Sequence, residues 1–257
     1  MEGRVVRISI APVKALGLVH PQDVVVGATG VVGDRRFWLR DTDGRLFNGK
    51  REGRLQQVRP EWDESSRRLV LTFPSGERVE GVVELGDPVD AVMYGELRSS
   101  HRVHGPWCEA ISSFVGRPLE LLWADDGGVD RLTDEGTVSL VSTASLQLLR
   151  EEMESERPVD GRRFRMLFEI EGVAAHEEDA WIGRHLRVGD AEIVVTGDVG
   201  RCVVTSRDPD TGVVDLPTLS TLAAYRREGR NEPLPFGVKG AVRTPGRVRI
   251  GDIAQPL

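Results

Sequence analysis

Gly200-Arg201-Cys202-Val203-Val204-Thr205-Ser206-Arg207-Asp208-Pro209-Asp210-Thr211-Gly212 is the stretch whose reading decides what this chain is. It sets a lone thiol behind a glycine turn and beside an arginine whose charge favours the thiolate. Free cysteines are mostly buried and inert, so a structural thiol is the plain alternative. The β-branched run 202–206 predicts a strand. The Asp-Pro-Asp-Thr-Gly that follows comes near a calcium loop, but Gly212 falls where a ligand belongs and Leu219 where a bidentate Glu belongs. It reads as a tight turn.

Working outward, 257 residues with 39% hydrophobic and 29% charged content describe a globular chain and exclude disorder, collagen and coiled coil. No apolar run approaches the roughly 18 residues of a membrane span, and the start has no signal-peptide core. The expectation is a cytoplasmic protein with no membrane partner. With 34 Lys+Arg against 41 Asp+Glu the net charge is −7, the wrong sign for a broad nucleic-acid face. Two cysteines, Cys108 and Cys202, make neither a four-thiolate zinc site, nor an iron–sulfur cluster, nor a disulfide framework.

Short β-branched runs at 5–10, 23–26, 37–39, 69–73 and 79–83 are separated by Gly, Pro and Asp, and predict strands of a sheet or barrel. Asp41-Thr42-Asp43-Gly44 and Pro74-Ser75-Gly76 read as hairpin tips. Pro106 to Gly116 predicts a short helix with Cys108 facing the core. The polar stretch 124–130 is the candidate boundary between two parts, 1–124 and 125–257. Beyond it, a strand at 138–141 precedes a helix capped by Ser142 or Thr143 and carrying Leu146, Leu149 and Met153. Strands are expected at 165–170, 191–196 and 202–206. A helix at 218–226 follows, with a capping hydroxyl at its start, and a strand and turn close the chain at 248–252. The fold class is therefore mainly β with a few short helices.

Several motifs fail on their own chemistry. Gly44 to Arg51 nearly matches a phosphate loop, but Arg51 takes the Ser/Thr place and strand-like residues fill the loop, so a hairpin is expected. Gly27, Gly30 and Gly33 miss the dinucleotide spacing. His101, His104 and Cys108 are split between a strand and a helix, with the two histidines on opposite strand faces. No Gly-x-Ser-x-Gly elbow is present.

The order of Arg162-Arg163-Phe164-Arg165, Glu178-Asp179-Ala180-Trp181, Arg201-Cys202, Thr205 to Gly212 and Leu219 to Arg226 closely resembles the MOSC domain, the molybdenum cofactor sulfurase C-terminal module. Ala11-Pro12-Val13-Lys14 and Gly30 to Phe37 resemble its companion N-terminal β-barrel region, and the two together span nearly the whole chain. In this layout the chain is similar to the mitochondrial amidoxime-reducing component and its bacterial counterparts. The resemblance implies a β-barrel core, a mononuclear molybdenum–molybdopterin cofactor, and reduction of N-hydroxylated compounds. It implies Cys202 as the protein's ligand to molybdenum and the catalytic centre, Lys14, Arg35 and Arg165 on the cofactor's phosphate, and Arg201 and Thr205 also in cofactor binding. Electrons are expected from a separate ferredoxin or flavoprotein, since two cysteines cannot hold a plant-type cluster; the ferredoxin domain some bacterial relatives append is not expected in this chain.

The chain departs from its relatives in three places. Met166-Leu167 stands where they carry Pro-Asn, Gly200 where Ser often precedes Arg-Cys, and Glu135-Gly136 where a Thr-Ser pair is found. Two other functions fit the same residues: a non-catalytic carrier of the cofactor or of sulfur, and a MOSC-like protein that has lost the cofactor.

Overall fold

Val, Ile and Phe residues spaced two apart put one apolar face on each of seven strands, and those faces close around a single core. The computed structural model describes residues 2–125, 128, 137–229 and 232–257. The closed barrel runs in the order Gly3–Ile8, Phe168–Glu171, Val138–Ser142, Pro235–Thr244, Ala191–Gly200, His185–Val188 and Ile253–Pro256. All neighbours are antiparallel except Val138–Ser142 with Phe168–Glu171. A parallel pair needs a crossover, and the helix Thr143–Glu152, capped by Ser142, lies on it. Val5, Ile8, Phe168, Ile170, Trp181 and Leu186 are buried at its centre, each worth about 1.5–3 kcal/mol on burial.

The barrel takes its first strand from the front of the chain, which then builds a second layered unit before returning. That unit has a five-stranded sheet in the order Leu46–Phe47, Phe37–Arg40, Glu120–Ala124, Glu96–His104 and Glu84–Met93, and a meander of Arg59–Asp63, Arg68–Thr72 and Arg78–Val82. Both sheets share one core, including Phe37, Phe47, Leu69 and Leu71, with the helix Trp107–Val115 packed into it. Trp107 is fully buried and donates its indole N–H to the Leu69 carbonyl at 3.2 Å, as a buried indole requires. A three-stranded sheet of Gly246–Arg249, Asp23–Gly27 and Gly30–Val31 joins the end of the chain to its front.

The mainly β class, the hairpin tips and the helices stand as read. Three local expectations do not. The segment 202–206 is a 3-10 turn, Val203–Ser206 with Cys202 as its cap, because Thr205 N and Oγ1 both donate to the Cys202 carbonyl at 3.0 and 2.9 Å. The strand expected at 165–170 starts only at Phe168, because Arg165 sits in the left-handed region and ends the 3-10 turn Gly161–Phe164. The helix Thr218–Tyr225 has no side-chain cap; the Thr218 hydroxyl donates instead to the buried Thr205 carbonyl at 3.0 Å. Glu135-Gly136 and most of the 124–130 boundary lie outside the described residues. Among the described residues no helix is long and apolar enough to cross a membrane.

The two parts also meet where the 3-10 turn Gly53–Gln57 abuts the Asp208–Gly212 turn. A Cβ on Gly53 would lie 2.1 Å from the Gly212 carbonyl oxygen, and Gln57 Nε2 donates to the Thr211 carbonyl at 2.6 Å. Backbone against backbone leaves no flexible atom to give way. Gly53→Ala is expected to destabilise the chain by about 1–3 kcal/mol, read as a lower urea midpoint; an unchanged midpoint would mean this contact does not hold the parts together.

Candidate functional site

The strand Ala191–Gly200 delivers Arg201 and Cys202 to the open end of the barrel, where the chain must turn. Cys202 is extended, at φ −138° and ψ 175°, and half-buried. Its carbonyl is held by Thr205, whose own carbonyl is held by fully buried Thr218. The backbone of Cys202 is therefore held by a chain of hydrogen bonds.

Arg201 lies behind it as a half-buried cation without a carboxylate partner among the described residues. Its Nε donates to the Phe236 carbonyl at 2.8 Å, its Nη1 to the Phe164 carbonyl at 3.0 Å, and its Nη2 to Met166 Sδ at 2.8 Å. Burial pushes the guanidinium down to about 9, and the adjacent Cys202 thiolate opposes that shift. At neutral pH the guanidinium stays charged, next in sequence to the Cys202 sulfur.

Lys14, Arg35, Arg165, Arg201, Cys202 and Thr205 all line one cavity of about 170 Å³ between the two parts. Arg35 and Arg165 each donate to a backbone carbonyl of the opposite part. Arg35 Nη2 donates to the Arg165 carbonyl at 3.2 Å, and Arg165 Nη2 donates to the Leu16 carbonyl at 2.8 Å. Both hold left-handed backbone, at φ 50° and 53°. For residues with a Cβ this conformation costs roughly 1–2 kcal/mol each, and such strain gathers at functional sites. Asp34 shares the Arg35 guanidinium and also accepts from Ala11 N at 2.7 Å, which fixes the direction of that side chain.

Other quoted motif residues brace the site, and Arg163 and Phe164 line the cavity as well. Arg162 makes a two-pronged pair with Asp210, at 2.8 Å on both prongs, and Arg163 another with Asp215 at 2.6 and 2.8 Å. These pairs pin the Asp-Pro-Asp-Thr-Gly turn to the Phe-Arg segment with matched planar forks. Asp208 Oδ1 accepts from Asp210 N and Thr211 N, and Gly212 has φ 73°, so the turn is tight as expected. Glu178 is fully buried and accepts from Ser142 N and Ser145 Oγ, while Trp181 belongs to the barrel core. Cys108 is elsewhere, accepting from Leu121 N at 3.2 Å, with its thiol pushed up by burial. His101 pairs with Asp125, and no group of three His, Cys, Asp or Glu among the described residues is placed to hold a metal.

A molybdenum–pterin group asks for a soft ligand, fixed cations at its phosphate, and donors for a planar heterocycle. The cavity offers Cys202 for the first, and Lys14, Arg35 and Arg165 for the second. For the third, Gln56 is 4% exposed and its Nε2 makes no hydrogen bond among the described residues. An orphaned buried amide that lines a cavity is a donor in need of an acceptor. Gln56 and Arg165 also line an adjoining cleft of about 370 Å³, so the space continues past the arginine. The residues present fit the group.

Two departures have local reasons. Leu167 packs in the barrel core and does not line the cavity, whereas Met166 does. A Cβ on Gly200 would lie 2.8 Å from Glu232 Oε2 and 3.1 Å from the Pro233 carbonyl, so a side chain there meets occupied space. Sequence reading missed Gln56 and Tyr94, and passed over Asn48-Gly49-Lys50 inside the failed phosphate-loop match; all five line the cavity. Neither Gln56 nor Tyr94 stands out by motif or periodicity.

The model of the MOSC domain matches residues 127–255, and that of the MOSC N-terminal beta barrel domain matches residues 2–117. Mitochondrial amidoxime-reducing component 1 of Mus musculus is 35% identical over 127 residues, covering 47% of this chain and 36% of that protein. The Xenopus laevis protein of the same name is 25% identical over 285 residues, covering 97% of this chain and 81% of that one. The chain thus spans about a third of the Mus musculus relative that it matches. Among solved structures, the YUAD protein from Bacillus subtilis aligns over 99% of this chain and 94% of its own, at 11% identity and a TM-score of 0.48.

Proposed function

We propose a function for this chain on the ground that it belongs to the MOSC domain family, with the MOSC N-terminal beta barrel domain in front: molybdenum-cofactor-dependent reduction of N-hydroxylated compounds, in the cytoplasm. The observation that carries it is the convergence of Cys202, Arg201 and Thr205 with Lys14, Arg35 and Arg165 on one cavity. The names of the amidoxime-reducing relatives supply the reaction class.

Reduction of R–NH–OH takes two electrons and two protons, breaks the N–O bond, and releases R–NH2 and water. The bound cofactor would supply the two-electron centre that amino-acid side chains lack. Cys202 would hold the metal through sulfur. Arg201 balances the anionic charge at that sulfur, and being braced by two carbonyls it keeps its position as charge changes. Thr205 keeps the Cys202 backbone from turning away. Lys14, Arg35 and Arg165, which line the cavity from both parts, would hold the cofactor's phosphate. The donor is a separate ferredoxin or flavoprotein reductase, because two cysteines leave this chain without a cluster of its own.

The test is metal analysis with an ultraviolet–visible spectrum of freshly purified protein, followed by assays on an N-hydroxylated amidine. Stoichiometric molybdenum, turnover with a reduced viologen dye and silence with NADH or NADPH alone are expected. Steady turnover on NADH without a partner would contradict the separate donor. Molybdenum-loaded protein that turns over nothing would favour the carrier, and protein free of molybdenum from a cofactor-making host would favour a MOSC fold without its cofactor.

A further inference from the structure

The strands Glu84–Met93 and Glu96–His104 form a hairpin that pairs Met93 with Glu96, joined by only two residues, Tyr94 and Gly95, at φ 52° and 95°. A two-residue loop with positive φ at both positions selects Asn, Asp or Gly, because a bulky Cβ is crowded there. Gly95 suits its place and Tyr94 does not. Burial in a core does not explain the tyrosine either, since it is 45% exposed.

The side chain lines the cavity that holds Cys202. The ammonium groups of Lys14 and Lys50 each lie 5.6 Å from the centre of its ring, an arrangement that attracts cation to ring and fixes where the ring stands. Met166, Val199 and Val204 give the same cavity apolar walls. An aromatic ring is thus kept at a turn position that disfavours it, over a cavity with a reactive sulfur, and backbone strain of this kind is a pointer to function.

We propose that Tyr94 is a substrate-contacting specificity residue: its ring is the wall on which a flat, aromatic N-hydroxylated substrate stacks, so that such substrates are favoured over small aliphatic ones. The proposal rests on the reductase reading. It adds no step to the reaction; the ring carries neither electron nor proton, and the N–O bond is still reduced by two electrons and two protons to give water.

The test compares wild type, Tyr94→Phe and Tyr94→Asn, using benzamidoxime and acetamidoxime with reduced methyl viologen. Wild type and Tyr94→Phe are expected to behave alike. Tyr94→Asn is expected to raise KM for benzamidoxime roughly three- to tenfold, the worth of one aromatic pair, with kcat and the acetamidoxime KM unchanged. Asn suits the turn, so its melting temperature should rise by about 2–4 °C, which separates lost stacking from damaged folding. An unchanged ratio of the two KM values in Tyr94→Asn overturns the proposal. Calorimetric binding of benzamidoxime to the same proteins distinguishes the two readings: binding weakened in Tyr94→Asn without turnover in wild type sinks the reductase reading alone, and equal binding in both sinks the role of Tyr94.

Discussion

Cys202→Ser is expected to lose reduction of N-hydroxylated compounds entirely while keeping the fold. The bonds that place residue 202 run from Thr205 N and Oγ1 to its backbone carbonyl, and a nearly isosteric change of Sγ to Oγ leaves them intact. What changes is the donor: a hydroxyl is a hard, largely protonated ligand where the metal calls for soft thiolate. Circular dichroism and melting should match wild type within about 1 kcal/mol, with molybdenum content and turnover lost together. A serine variant that is active and fully loaded with molybdenum would sink the ligand assignment. Cys108→Ser is the control, since its sulfur accepts from Leu121 N and donates to the Val103 carbonyl in the second core; activity should persist.

Arg165→Ala is expected to strip the cofactor. A charge-assisted contact is worth about 1.5–3 kcal/mol, which corresponds to about ten- to a hundredfold in affinity. The side chain also donates to the Leu16 carbonyl and its backbone is left-handed at φ 53°, so the alanine variant loses a tie between the two parts and keeps the backbone strain. Arg165→Gly removes the same charge but suits the backbone. Both variants should therefore lose molybdenum, and the glycine variant should melt higher than the alanine one. Lys14→Ala should act in the same direction, and the double variant should be additive unless both groups hold one phosphate oxygen. Full molybdenum content in Arg165→Ala, measured by mass spectrometry of the metal, would remove the arginine from the site.

Local chemistry alone made much of this protein legible. Gly44 and Gly76 at hairpin tips, Gly116 at a helix end and Ser142 at a helix start are set by φ and capping rules that act within four residues, and period-two burial marked most of the strands. The motif order carried the family, and with it a list of basic residues from both ends of the chain. Tertiary contacts decided the rest. Val203-Val204-Thr205 has the propensity of a strand, yet it turns because a hydroxyl and an amide three residues on capture the Cys202 carbonyl, and because Thr218 then satisfies Thr205. Arg165 leaves the strand for a left-handed conformation that suits its ties to Leu16 and Arg35, residues about 130 or more positions away. Gln56 and Tyr94 carry no motif, and they reach the cavity only because the Gly53–Gln57 turn docks on Asp208–Gly212 and a long hairpin folds its tip over Lys14. Propensity and pattern act over a few residues and so determined the elements and the family. The site is made of groups far apart in sequence, whose unmet hydrogen bonds and charges are satisfied only when the two parts close on each other.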